Sequence, residues 1–189
     1  MVGVNDELQA ELLERAGRDQ AARELVPPGH GIEQWERIVE PVDRANTARL
    51  REIVAGYGWP GRRLVGEEAA HAAWLLAQHA PPQFQEQCLP LLEDAVAQGD
   101  ASPADLAYLR DRVLMHQGKP QIYGTQYLIK DGVPALWPVQ DPEGLDERRA
   151  ALGLEPAAAN RARLMPAEGP AGQDPDDQQP GPAGQAPSG

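Results

Sequence analysis

The chain has 189 residues, the length of one ordinary domain or of one domain with a tail. Nineteen glycines and nineteen prolines, about a fifth of the residues, exclude regular structure throughout. With 17 basic residues against 29 acidic, the net charge is −12, and such a chain repels phosphate backbones and anionic lipid. Neither nucleic acid nor a membrane is therefore expected as the main partner. The lone cysteine, Cys88, excludes an internal disulfide framework and a thiolate zinc knuckle. The first residues lack a basic and then apolar leader pattern, and no run approaches the roughly 18 apolar residues that span a bilayer. A soluble, cytoplasmic protein is the expectation.

In chain order, the first helix is capped by Asn5, with Asp6 and Glu7 at its positive dipole end. Leu8, Leu12 and Ala16 form its apolar stripe, and Pro27-Pro28 stops it. A polar loop is expected from Gly29 to about Ile38, holding Trp35. The second helix is predicted over Val42 to Tyr57, where Val42, Leu50, Ile53, Val54 and Tyr57 recur at helical spacing. Gly58 and Pro60 end it. A third helix is predicted over Leu64 to His79. Val65, Ala69, Ala72, Leu76 and His79 make one stripe and His71, Trp74, Leu75 and Gln78 a second, which marks a largely buried helix.

Pro81-Pro82 closes that helix. The next carries Phe84, Cys88, Leu91, Leu92 and Ala95, and Pro90 should kink or restart it. Ser102-Pro103-Ala104-Asp105 opens a fifth helix with a cap, a first-turn proline and an acid. Leu106, Leu109, Val113 and His116 are its stripe, and Gly118 ends it. From Thr125 to Val139 the period changes, with β-branched and aromatic residues around an Asp131-Gly132 turn that predicts a hairpin. Pro134 and Pro138 confine its second strand to an edge. Asp141-Pro142 reads as the cap of a helix reaching Leu152, and a last short helix spans Pro156 to Leu164.

Composition changes sharply after Met165. Residues 166–189 hold six prolines, five glycines and four acids with no base or aromatic, so disorder is expected there. The expected architecture is a mainly α, bundle-like helical domain over residues 1–165 with one hairpin at about 125–139, followed by that tail.

The chemistry-bearing residues are few. There is no phosphate loop, no dinucleotide fingerprint and no serine nucleophile elbow. Glu68 and His71 have the E-x-x-H spacing of helical metal proteins, and with His79 they define a metal reading. No second copy of the motif accompanies it, so neither a metal nor another cofactor is expected. His79 ends a buried helix, where an imidazole either caps the helix or is poised in a pocket as an acid or base. Arg112 follows Asp111 in mid-helix, and its planar fork suits a carboxylate or phosphate. Tyr123-Gly124-Thr125-Gln126 is a tight polar loop that either orients a ligand or holds itself together.

The strings Gly58-Trp59-Pro60-Gly61, Ala72-Ala73-Trp74-Leu75-Leu76 with Gln78-His79-Ala80, Asp111-Arg112-Val113, Gly118-Lys119-Pro120-Gln121 and Tyr123-Gly124-Thr125-Gln126 resemble a bacterial domain-of-unknown-function family, 6624, common in actinomycetes. The resemblance covers about residues 5–160 and implies no particular reaction. Its signature positions fall here on Gln78, His79, Asp111, Arg112, Gln121, Tyr123, Thr125 and Gln126, on helix ends and a loop, while His71 and Glu68 lie outside them.

Two functional classes are thus open. In one, a polar pocket binds or transforms a small polar or anionic molecule: His79 and Asp111 are catalytic, and Gln78, Arg112, Tyr123, Thr125 and Gln126 bind. In the other, the same polar residues tie the hairpin to the helices of a non-enzymatic interaction or structural module.

Overall fold

A computed structural model describes residues 3–26, 31–130 and 133–164. It is mainly helical, with eight helices and one two-stranded antiparallel hairpin among these residues. The helices are α1 (Asp6–Glu24), α2 (Ile32–Tyr57), α3 (Arg62–Val65), α4 (Glu67–Gln78), α5 (Pro82–Ala97), α6 (Pro103–His116), α7 (Leu145–Ala150) and α8 (Ala157–Leu164). Strands β1 (Tyr127–Lys130) and β2 (Val133–Leu136) pair with Tyr127 opposite Leu136. No helix among the described residues is long and apolar enough to cross a membrane.

The core is organised around α4, which packs against α1, α2, α5 and α6. Six of its twelve residues, Ala69, Ala70, Ala72, Ala73, Leu76 and Ala77, are buried apolar groups. Short alanine side chains let helices approach α4 from several sides; the second buried face is Ala70, Ala73 and Ala77, whereas of the predicted second stripe only Gln78 is buried, Trp74 and Leu75 are half-buried and His71 is exposed. Leu12, Leu50, Leu92 and Leu109 from the surrounding helices close the cluster. Truncating any one of these leucines to alanine is expected to cost about 2–5 kcal/mol.

The caps at Asn5 and Ser102 form as the sequence indicates: Leu8 N donates to Asn5 Oδ1 at 3.1 Å and Asp105 N to Ser102 Oγ at 3.4 Å. Several boundaries differ. The expected loop from Gly29 to Ile38 is helical from Ile32, and α2 runs through Pro41 instead of starting at Val42. Val39 on this early segment is fully buried against Ala22 and Val26, so packing on the end of α1 outweighs the hydrogen bond that Pro41 removes.

The predicted third helix is two helices, α3 and α4, divided at Gly66. Gly66 has φ +80°, closes α3 through its N–H to Arg62 O, and lies where a Cβ would stand 2.8 Å from Gln9 Nε2. At Pro90, α5 continues without a restart. Asp141 is not the cap of α7: Gly144 precedes that helix, and Asp141 instead accepts from Gly144 N and pairs with Arg148. The predicted helix stop at Pro27-Pro28, the Asp131-Gly132 turn and the tail of residues 166–189 lie outside the described residues.

Candidate functional site

The polar loop after α6 folds back onto α6 and toward the end of α4, and side chains hold most of its backbone groups. Asp111, fully buried on α6, accepts from Ile122 N at 2.8 Å, from Tyr123 N at 3.0 Å and from Thr125 through both its N–H (3.1 Å) and its hydroxyl (3.0 Å). On the carbonyl side, Arg148 Nε donates to Ile122 O, and the fully buried Arg149 donates through Nη1 to Tyr123 O and Gly124 O. One carboxylate and two guanidinium groups thus take three of the four N–H groups and three of the four carbonyls of residues 122–125. Gly124 is required in the turn: its φ is +63°, and an added Cβ would meet Leu145 at 3.1 Å. Gln121 and Gln126 lock the base of the loop, with Gln126 N donating to Gln121 Oε1 and Gln121 Nε2 to Gln126 O.

Arg112 joins this loop to α4. Its Nε donates to Gln126 Oε1 at 3.0 Å and its Nη1 to the carbonyl of Gln78 at 3.1 Å. Both partners are neutral, so the guanidinium has no carboxylate against it. Burial, with a smaller contribution from the Arg23 charge, pulls its pKa down to about 10. Gln78 is itself buried, and its Oε1 has no hydrogen-bond partner. Of the expected ligand-binding residues, Gln78, Arg112, Thr125 and Gln126 therefore come together in one network. Tyr123 shares it through its backbone.

His79 points elsewhere. It is the residue that ends α4, and its Nδ1 lies 2.9 and 3.1 Å from the two carboxylate oxygens of Asp19 on α1. Its partner is thus Asp19 and not Asp111, the other expected catalytic residue. The Asp19 side chain is 1% exposed and that of His79 17%. Arg23, one turn beyond Asp19, spans Asp19 and Asp43 of α2: Nη2 lies 3.0 and 3.1 Å from Asp43 and Nη1 3.4 Å from Asp19. Burial alone would raise the carboxyl of Asp19, but the hydrogen bond and charge of His79, with Arg23 and Gln20, hold it below its ordinary value. Asp43 moves the other way, raised by burial and by the charge of Asp19 against the pull of Arg23.

Beside this cluster is a cavity of about 450 Å³ whose wall includes Asp43, Thr47, Arg51 and His79. Thr47 is buried and its Oγ1 has no hydrogen-bond partner. Among the described residues no group bonds to His79 Nε2. The arrangement resembles the carboxylate–imidazole half of a general-base apparatus: one ring nitrogen is fixed by an acid and the other is left for a reacting group.

Donor atoms of Asp19, Asp43 and His79 lie within 4.8 Å of one another, a spacing that an ion can bridge. Arg23 already sits between the two carboxylates and neutralises them, so a cation would have to compete with a guanidinium held by both. Glu68, His71 and His79, the set of the metal reading, do not converge. His71 bonds Asp105 and stacks on Trp74 beside a separate cavity of about 350 Å³, at the opposite end of α4. Cys88 is buried, and burial pushes its thiol up to about 12, which makes it inert as a nucleophile.

Sequence reasoning missed Asp19, Arg23 and Asp43. The signal was present: Asp19 extends the Leu8, Leu12, Ala16 stripe by three residues, and Asp43 lies four from both Val39 and Thr47. An acid in register with buried positions needs a partner inside the fold.

Fold and site together define a mainly helical protein with a carboxylate–imidazole pair beside a cavity. Residues 6–169 match the family of unknown function DUF6624, and the chain belongs to that family. No curated protein and no solved structure matches it.

Proposed function

We propose that the cavity beside His79 binds a small polar or anionic molecule and that His79 acts there as acid and base. The observation that supports this most directly is the Asp19–His79 pair. Asp19 fixes the tautomer and orientation of the ring through Nδ1, leaving Nε2 for a proton transfer beside the cavity. Asp19 orients His79, whereas Asp111, the other residue expected to be catalytic, holds the loop. Arg112 is not on the cavity wall; it bonds the carbonyl of Gln78, the residue before His79, and in this proposal it positions the end of α4.

One observation favours the second reading for part of the set. The hydrogen-bonding capacity of Asp111, Thr125 and Gln126 is spent on the loop and on Arg112. In this proposal they are positioning residues that shape the site, and the ligand-facing chemistry belongs to His79.

Screening small carboxylates, phosphates and neutral polar compounds by thermal shift, on the wild-type chain and on His79→Gln, tests the reading. The expected result is at least one compound that raises the melting midpoint of the wild type and not of His79→Gln. Asp111→Ala should melt well below both, because its loss orphans three backbone N–H groups and a hydroxyl, at about 1–3 kcal/mol for each buried group. If His79→Gln melts as low as Asp111→Ala and no compound separates it from the wild type, His79 is a structural residue and the proposal fails.

A further inference from the structure

The wall of the His79 cavity can be read as a charge inventory. Along α2, Asp43, Thr47 and Arg51 recur every four residues, so they run along one side of the helix, with about 12 Å of axial rise from first to last. Glu40 and Arg44, also on the wall, bond each other at 2.6 Å. Asp43 is held by Arg23. These pairs neutralise one another and leave Arg51 as the wall guanidinium without a carboxylate among the described residues. Its only hydrogen bond there is a long one, 3.4 Å, from Nη1 to the neutral Oε1 of Gln87.

Arg51 is also positioned. Its Cζ lies 4.3 Å from the centre of the Phe84 ring, at the start of α5. Stacking uses a face of the guanidinium and leaves the N–H donors around its edge, the geometry in which arginine takes a carboxylate or phosphate by two parallel hydrogen bonds. Thr47, between Arg51 and Asp43, has a buried hydroxyl with no partner. At the far end of the row stands Asp43, within 4.8 Å of the His79 ring nitrogen. Arg112, likewise without a carboxylate, bonds Gln126 and the carbonyl of Gln78 and is not on this wall.

Resting on the reading of the cavity given above, we infer that its ligand carries an oxyanion, a carboxylate or a phosphate, which is bound by Arg51 two helical turns along α2 from the Asp43 and His79 end. The ligand is then an extended anionic molecule: its charged group is held on Arg51 and its reacting group lies beside His79. Arg51 is a specificity-determining residue in this assignment, with no part in the proton transfer.

The test uses inorganic phosphate and acetate as probes on the full-length chain labelled with ¹⁵N. Saturable shifts of the Thr47 and Ala80 amides and of the Arg51 Nε–H are expected with at least one probe, and the tighter of the two identifies the oxyanion. Arg51→Gln should weaken that binding about ten-fold or more, while Arg51→Lys, which keeps the charge, should retain part of it. His79→Gln should weaken that binding less than Arg51→Gln does, because the anion and the imidazole occupy different ends of the cavity. Unchanged affinity in Arg51→Gln, or no saturable response to either probe, overturns the assignment. So does loss of binding in His79→Gln, which would put the anion at the imidazole and leave the acid–base reading of His79 standing.

Discussion

Helix α4 carries the same bond at both ends. At one end His71 places Nδ1 3.0 and 3.1 Å from the carboxylate of Asp105; at the other His79 places Nδ1 2.9 and 3.1 Å from Asp19. What surrounds the two pairs is different. The His71 side chain is 59% exposed and that of Asp105 12%, against 17% for His79 and 1% for Asp19. Asp105 is buried, but its single ionic partner, His71, lies mostly in water. Asp19 has none of the water, and Arg23 and Gln20 make up for it. Equal hydrogen-bond geometry therefore says little about what a histidine–carboxylate pair does. Burial and the next charges outward decide whether it is a surface clasp or a site.

That contrast is most open to attack at the two acids. Asp19→Ala removes a buried charge and leaves His79 and part of Arg23 without their partner, so a loss of about 3–5 kcal/mol is expected. Asp105→Ala removes a contact to a mostly exposed histidine and should cost about 1 kcal/mol, because the capping side chain of α6 belongs to Ser102 and survives. Chemical denaturation of the two variants checks the order, and equal losses would collapse the distinction. The histidines should follow with smaller values: about 1–3 kcal/mol for His79→Gln, and a change within about 0.5 kcal/mol for His71→Gln.

The sequence displayed the scaffold better than the site, for a physical reason. Caps and stops are local: Asn5, Ser102, Gly58 and Gly118 act within one turn of themselves, and each marks a helix end in the structure. The stripe of Val65, Ala69, Ala72 and Leu76 is also local, and so is the hairpin pattern. Asp19, Arg23 and Asp43 meet His79 only because α1, α2 and α4 pack together, at separations of up to sixty residues. The polar first half of α2 reads as a loop by composition, and only the burial of Val39 against α1 makes it helix. Asp111 and Arg112 were legible as an unusual pair. Their division of labour, one to the loop backbone and one to α4, was not, because it depends on where the loop returns.

A subtler difference lies in titration. Within the buried cluster the two carboxyls are pushed apart, Asp19 below its ordinary value and Asp43 above. A group whose pKa is lowered by folding adds stability above its unfolded pKa and loses it as pH falls through the folded one. Acidification should therefore protonate Asp43 first, with little loss of the pairing to His79, and reach Asp19 only at more acid pH. Carboxyl ¹³C shifts followed through an acid titration give the order directly, and simultaneous protonation of the two would contradict the asymmetry.

The smallest effect is expected at the exposed pair. The Asp105 hydrogen bond raises the pKa of His71; burial opposes it and the charge of Asp105 adds to it, for a net rise. A raised histidine contributes stability that is fully present below its unfolded pKa, about 6.5, and disappears as pH climbs through the folded value. With more than half of the side chain in water, that contribution is screened and small, so the ring itself is the better reporter. The ¹H–¹⁵N spectrum of the His71 imidazole should show a midpoint above 6.5 in the wild type and a lower one in Asp105→Asn, where the partner keeps its shape and loses its charge. If the substitution leaves the midpoint in place, the clasp holds His71 without polarising it, and electrostatic coupling at the exposed end of α4 is negligible. A downward shift with unchanged stability would show the reverse: the bond tunes a surface histidine while the fold leans on the pair at the other end of the helix.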